Sequence, residues 1–129
     1  MRLLLDTDVL IALARHELTA VGAAIGAVIA EPENASFVSA ASLWEIAIKT
    51  RLRKLHPQMH LNDLAGYFES IGLSHLAIDH RHAVQSADPA PATRDPFDRL
   101  LLAQCEVESL RLVTTDRVLA QHPLAWHPA

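Results

Sequence analysis

Four acidic residues stand where a short apolar run ends or a helix begins: Asp6 after RLLL, Glu45 within SLWEIAIK, Asp98 within RDPFDRLLLAQ, and Asp116 after LVTT. Each has an ordinary structural explanation on its own. Asp98 would complement the dipole of a helix that Asp95 caps and Pro96 begins. Glu45 would close a capping box with Ser42, or pair with Lys49 one turn on. Taken together they pose a different problem, because carboxylates gathered in one place repel one another unless protonated or paired, whereas Mg²⁺ or Mn²⁺ binds such a set of oxygen ligands. Water activated by such a cation can hydrolyse a phosphodiester without a covalent nucleophile. Lys49, Arg51, Arg94 and Arg99 are the nearby cations suited to steering phosphate, and the stretch from Lys49 to His56 is the most basic part of the chain.

Whether the acids converge depends on the elements that carry them. Arg2 to Leu5, Ser36 to Ser39, Leu73 to Ile78 and Leu110 to Thr114 read as short strands, with Leu124 to Trp126 as a small additional edge strand. Helical spacing covers Val9 to Ala14, Leu18 to Ala30, Ser39 to Leu52, Leu61 to Ile71 and Asp95 to Glu108, with short helices over Asp79 to Ala87 and Arg117 to Gln121. In the helix that follows RDPFD, Phe97, Leu100, Leu101 and Cys105 share one face, which pins the helix and so fixes Asp98. Alternating strands and helices predict an α/β fold with helices on both sides of a parallel sheet of about four to five strands. Ligands of such a sheet collect beyond the carboxyl ends of its strands. Asp6 and Asp116 leave strands at that edge, while Asp98 and Glu45 lie near the starts of helices that enter from it.

With 129 residues, half of them hydrophobic, the chain has the size of one domain, residues 1–129, with one core. Its formal net charge of −4 argues against holding nucleic acid by bulk positive charge, although bound cations would reverse the sign locally. Cys105, the single cysteine, falls in an apolar helical pattern and reads as a buried thiol. No disulfide within the chain is possible, and neither a secretory signal nor a membrane span is evident, so a cytoplasmic location is expected. His56 and His60 in HPQMH have the spacing of a zinc pair. Pro57 opposes a helix there, however, and no further ligand stands nearby.

The segments DTDVLIALA (Asp6 to Ala14), SAASLWEIAIKTRLRKL (Ser39 to Leu55), RDPFDRLLLAQ (Arg94 to Gln104) and LVTTD (Leu112 to Asp116), in that order, resemble a PIN domain. In particular they resemble the VapC toxins of bacterial toxin–antitoxin pairs. The resemblance covers nearly the whole chain and implies a three-layer α/β/α fold. It also implies that Asp6, Glu45, Asp98 and Asp116 form an acidic quartet with Thr115 as a polar neighbour. The implied protein is a Mg²⁺- or Mn²⁺-dependent endoribonuclease, usually a homodimer, silenced by a VapB-like antitoxin whose C-terminal segment lies across the site. Two positions depart from the family pattern: Asp8, where an uncharged residue or histidine is commoner, and Thr93, where a histidine often stands. Two other readings stay open. LLLDTDVL also resembles the opening of haloacid-dehalogenase-like phosphatases, with Asp6 as nucleophile and Asp8 as acid/base. A catalytically silent PIN-like binding module would use the same fold without the chemistry.

Overall fold

The strand RLLL lies at the centre of the molecule because every residue after Arg2 is wholly buried, which suits a strand covered on both faces. In a computed structural model describing residues 1–128, this strand, β1 (Arg2–Leu5), is flanked by β2 (Ala35–Ser39) and β4 (Arg111–Val113). Beyond β2 lies β3 (Ser74–Leu76), giving the order β3-β2-β1-β4 with all pairings parallel. Leu4 pairs in register with Phe37 on one side and Leu112 on the other.

Period-two alternation divides the core. Leu3 and Leu5 pack with Val9 and Leu10 of α1 (Thr7–Ala14), Val28 of α2 (Ala23–Ala30), and Leu64 and Phe68 of α4 (Leu61–Ser70). Leu4 faces the other way, onto Leu101, Leu102 and Cys105 of α6 (Pro96–Glu108). Helices therefore cover both faces, the expected α/β/α arrangement, and α3 (Ala40–Arg51) contributes to both clusters through Ile46 and Ala41. Each fully buried leucine is worth about 1.5–3 kcal/mol relative to exposure, so β1 alone anchors both layers.

The departures from expectation have local causes. Leu18–Ala30 is not one helix: a 3₁₀ turn (Leu18–Val21) ends at Gly22, whose φ of +95° only glycine adopts readily, and α2 starts after it. The third strand is shorter than expected. The segment after β4 forms only a single bridge, Leu112 to Ala125, rather than a fifth strand. In place of the short helix over Arg117 to Gln121 there is a single 3₁₀ turn (Leu119–Gln121). Ser39 caps α3 by accepting from the Ala41 N–H, and Asp79 caps α5 (His80–Val84), which ends short of the expected Ala87. Beneath the carboxyl end of β2, the Ser39 hydroxyl meets Gln104 Oε1 at 2.5 Å. Gln104, wholly buried, directs Nε2 towards the Ala77 carbonyl and His82. This polar link ties Ser39, the last residue of β2 and the N-cap of α3, to the middle of α6, and so registers the two helices that carry Glu45 and Asp98.

Candidate active site

Asp6 follows β1 directly and serves as N-cap of α1. Its backbone N–H continues the ladder by donating to the Val113 carbonyl, while Oδ1 accepts from the Thr7 N–H at 2.8 Å. Oδ2 accepts from the Thr114 hydroxyl at 2.6 Å. The carboxylate is thus clamped between the ends of two neighbouring strands. Glu45, two turns into α3, is buried in turn; its Oε1 accepts from the Thr7 hydroxyl at 2.6 Å and its Oε2 from Lys49 Nζ at 2.7 Å. Of its two ordinary roles the Lys49 pair is realised. The capping box is not, because Ser39 caps the helix and the Ser42 hydroxyl instead lies 3.1 Å from that of Thr7.

Asp98 stands in the first turn of α6, where Asp95 caps the helix through the Phe97 and Asp98 N–H groups and Pro96 occupies the first turn. Among the described residues its only side-chain partner is the Thr93 hydroxyl, at 3.4 Å. Half-buried and lightly tethered, it faces Asp6, Asp95 and Glu45. Burial and then these charges push its carboxyl up from 3.8 to about 7. Burial, opposed by the hydrogen bonds from Thr114 and Thr7 and assisted by the charges of Asp8 and Glu45, lifts Asp6 to about 6. Lys49 is the cation among these acids; its ammonium is held above the usual lysine range chiefly by Glu45, with Asp95 and Asp8 adding to the field.

Three members of the expected quartet are therefore brought together at the carboxyl edge of the sheet, with Asp8 and Asp95 contributing charge. Asp116 is placed differently. It is exposed, and its Oδ1 accepts from the Val118 and Leu119 N–H groups, capping the following turn. The charges that act most strongly on Asp98 are those of Asp6, Asp95 and Glu45. Thr115 is exposed, and the threonine on Asp6 is its neighbour Thr114. Arg99 is committed to the backbone carbonyls of Thr93 and Pro91, which braces the proline-rich loop rather than steering phosphate. Arg94 and Arg51 are exposed, and Arg51 borders a cavity of about 940 Å³ with His56 and His60 beyond the far end of α3. His56 accepts from the Gln58 N–H across a turn. Thr7 and Thr114 are the hydroxyls on the acids that were missed from sequence, with only adjacency to an acid marking Thr7; Thr93, which stands where the resembled family often has a histidine, bonds Asp98.

The chain's residues 3–123 match the family model of the PIN domain. The chain belongs to the PIN-domain family. Membership extends over nearly all of the fold and suggests metal-dependent nuclease activity. In a comparison with curated proteins, none matches.

The donor set of the PIN acids fits a hard divalent cation. Two carboxyls raised by burial, and further by the neighbouring acids, are held where a bound cation would favour their charged forms, and Lys49 pairs only with Glu45. Among the described residues no three acidic, histidine or cysteine side chains form a closed ligand set. Asp98, with a single long hydrogen bond, has the greatest freedom to complete one.

Proposed function

We propose that this PIN-domain chain is a Mg²⁺- or Mn²⁺-dependent endoribonuclease, and that it acts as a VapC-type toxin held in check by a VapB-like antitoxin and working as a homodimer. The observation that carries the nuclease reading is the meeting of Asp6, Glu45 and Asp98 at one sheet edge, with Asp6 and Asp98 lifted towards neutrality. The family motifs, read in order along the chain, support the toxin assignment.

In this reading Asp6 and Asp98 hold the cation, with Glu45 and Asp116 as further oxygen donors directly or through water. When bound, the cation acidifies its water and offsets charge on the phosphate's non-bridging oxygens. The chain's own groups do the rest. Thr114 and Thr7 orient Asp6 so that its remaining lone pairs face the site; Thr7 and Lys49 orient Glu45 likewise, leaving each of its oxygens one free acceptor position for water. Lys49, Arg51 and Arg94 supply positive charge to a polyanion approaching an otherwise acidic rim. Water attacking in line with the departing 3′ oxygen leaves 5′-phosphate and 3′-hydroxyl ends, and the 2′-hydroxyl has no chemical part.

The test compares the purified protein, freed of any partner, with Asp98→Asn on a mixed RNA pool in Mg²⁺, Mn²⁺ or EDTA, reading end chemistry with cleavage. Metal-dependent cuts bearing 5′-phosphates, lost in the variant, are expected. Phosphate release from small esters with no RNA cleavage would transfer the chemistry to an Asp6 and Asp8 phosphatase. Growth arrest on expression that survives Asp98→Asn would leave a silent binding module.

A further inference from the structure

The chain has six Phe, Trp and Tyr residues, and only one of them, Trp44, is exposed. It retains 60% of its accessible surface and immediately precedes Glu45. Its ring meets that of Phe97 edge to face, with centroids 5.7 Å apart and planes at 75°. Phe97 in turn immediately precedes Asp98. The two aromatics thus bridge α3 and α6 at the rim, each beside a carboxylate of the site. An edge-to-face contact covers at most one face of either ring, so the exposed indole keeps a broad π surface open to whatever enters.

We propose that Trp44, braced by Phe97, is a stacking platform for an unpaired base next to the scissile phosphate, so that the enzyme selects single-stranded segments of RNA. The proposal rests on the nuclease reading above and names how its substrate is recognised. Base–aromatic stacking tolerates any base and needs the base out of a helix, so such a platform selects unpaired RNA without reading its sequence. A protein-docking role would call for a contiguous apolar patch. Trp44 instead meets the ring of Phe97, and the residues that follow the two rings in the chain are the carboxylates Glu45 and Asp98. The other large apolar side chains that are exposed lie on other elements, except Leu52, two turns farther along α3. Phosphate contacts from Lys49 and Arg94 beside a base held on Trp44 would place the backbone across the acids.

Two measurements test this. In an Asp98→Asn, Trp126→Phe background, which removes turnover and leaves Trp44 as the sole tryptophan, fluorescence is titrated with a short unpaired oligoribonucleotide and with the same strand in a duplex. Quenching by the unpaired strand only is expected; with binding followed instead by filter retention of a labelled strand, Trp44→Ala in the Asp98→Asn background should weaken it roughly tenfold or more while Trp44→Tyr keeps most of it. With all acids intact, Trp44→Ala should lower cleavage of unpaired RNA by a similar factor. The platform is overturned if the indole is blind to RNA and Trp44→Ala cuts like the parent, or if that substitution alters only sedimentation, which would make the patch a self-association contact. Should the parent cut no RNA with any divalent cation while Trp44 is still quenched, the nuclease reading fails and the platform stands. Cleavage with a silent Trp44 overturns the platform alone.

Discussion

Thr114 and Thr7 set the site as much as the carboxylates do. Each hydroxyl donates to an acid 2.6 Å away, and the bond from Thr114 favours the charged form of Asp6. Thr114→Val keeps the shape, removes the donor, and leaves burial and the neighbouring acids to push the Asp6 carboxyl above about 6. Metal affinity or cleavage should fall about 10- to 100-fold, as for other side chains that orient a ligand, and titration calorimetry with Mn²⁺ separates the two. Asp98→Asn should abolish cleavage and yet raise the melting temperature of the metal-free protein at pH 8, because it deletes a crowded charge that receives little compensation. Heating both proteins in EDTA checks this. The acids themselves were legible in sequence because each follows a strand or opens a helix. The threonines were not, since a hydroxyl next to an acid is common and only the fold shows which one bonds. Asp116 shows the converse: its position after β4 placed it at the right edge, but free N–H groups two and three residues on compete for its carboxylate.

At the scale of elements, sequence signals worked where one residue type answers one backbone need. Asp95 and Pro96 start α6, Ser39 starts α3, and the apolar stripe of α6 lies in the core. They failed at Gly22, which continues a helical pattern in composition while breaking it in conformation. Only its φ of +95° separates the 3₁₀ turn from α2, and periodicity cannot sense that. The same segment supplies a paired test. Neither Gly22 nor Gly26 has any neighbour within 4 Å of where a Cβ would stand, so backbone preference alone decides each outcome. Gly22→Ala forces a side chain into a region open essentially to glycine and should cost about 1–3 kcal/mol. Gly26→Ala, inside α2, should gain about 0.5–1 kcal/mol. Urea unfolding of both variants checks the pair; equal shifts would mean that Gly22 does not mark a helix boundary. The short ladder at Leu124–Trp126 was the other overreach: after the 3₁₀ turn and Pro123, one bridge from Ala125 to Leu112 is all that segment forms.

Over the whole molecule the acidic edge is a liability that a cation or a proton relieves, and this links stability, pH and metal in one curve. Asp6 and Asp98 have folded-state values of about 6 and about 7 against 3.8 in an unfolded chain, so the folded protein binds their protons more tightly. Their contribution to stability is fully present below about pH 4 and is lost as pH rises through 6 and then 7. The metal-free protein should therefore lose melting temperature between about pH 5 and pH 8, against the usual direction for paired carboxylates. Mg²⁺ or Mn²⁺ binds the deprotonated acids and stabilises the fold by mass action in proportion to how far its concentration exceeds the dissociation constant. The stabilisation by a fixed cation concentration should thus be small at pH 5 and large at pH 8, flattening the profile. Thermal melts across that range, with EDTA or saturating Mn²⁺, measure both curves. In Asp98→Asn the metal-free slope should shrink, since Asp6 alone remains of the two raised carboxyls, and the metal increment should shrink with it. A metal-free profile that is flat or rises from pH 5 to pH 8 would mean that the acids do not share a field, and the edge would lose its claim to be a cation site.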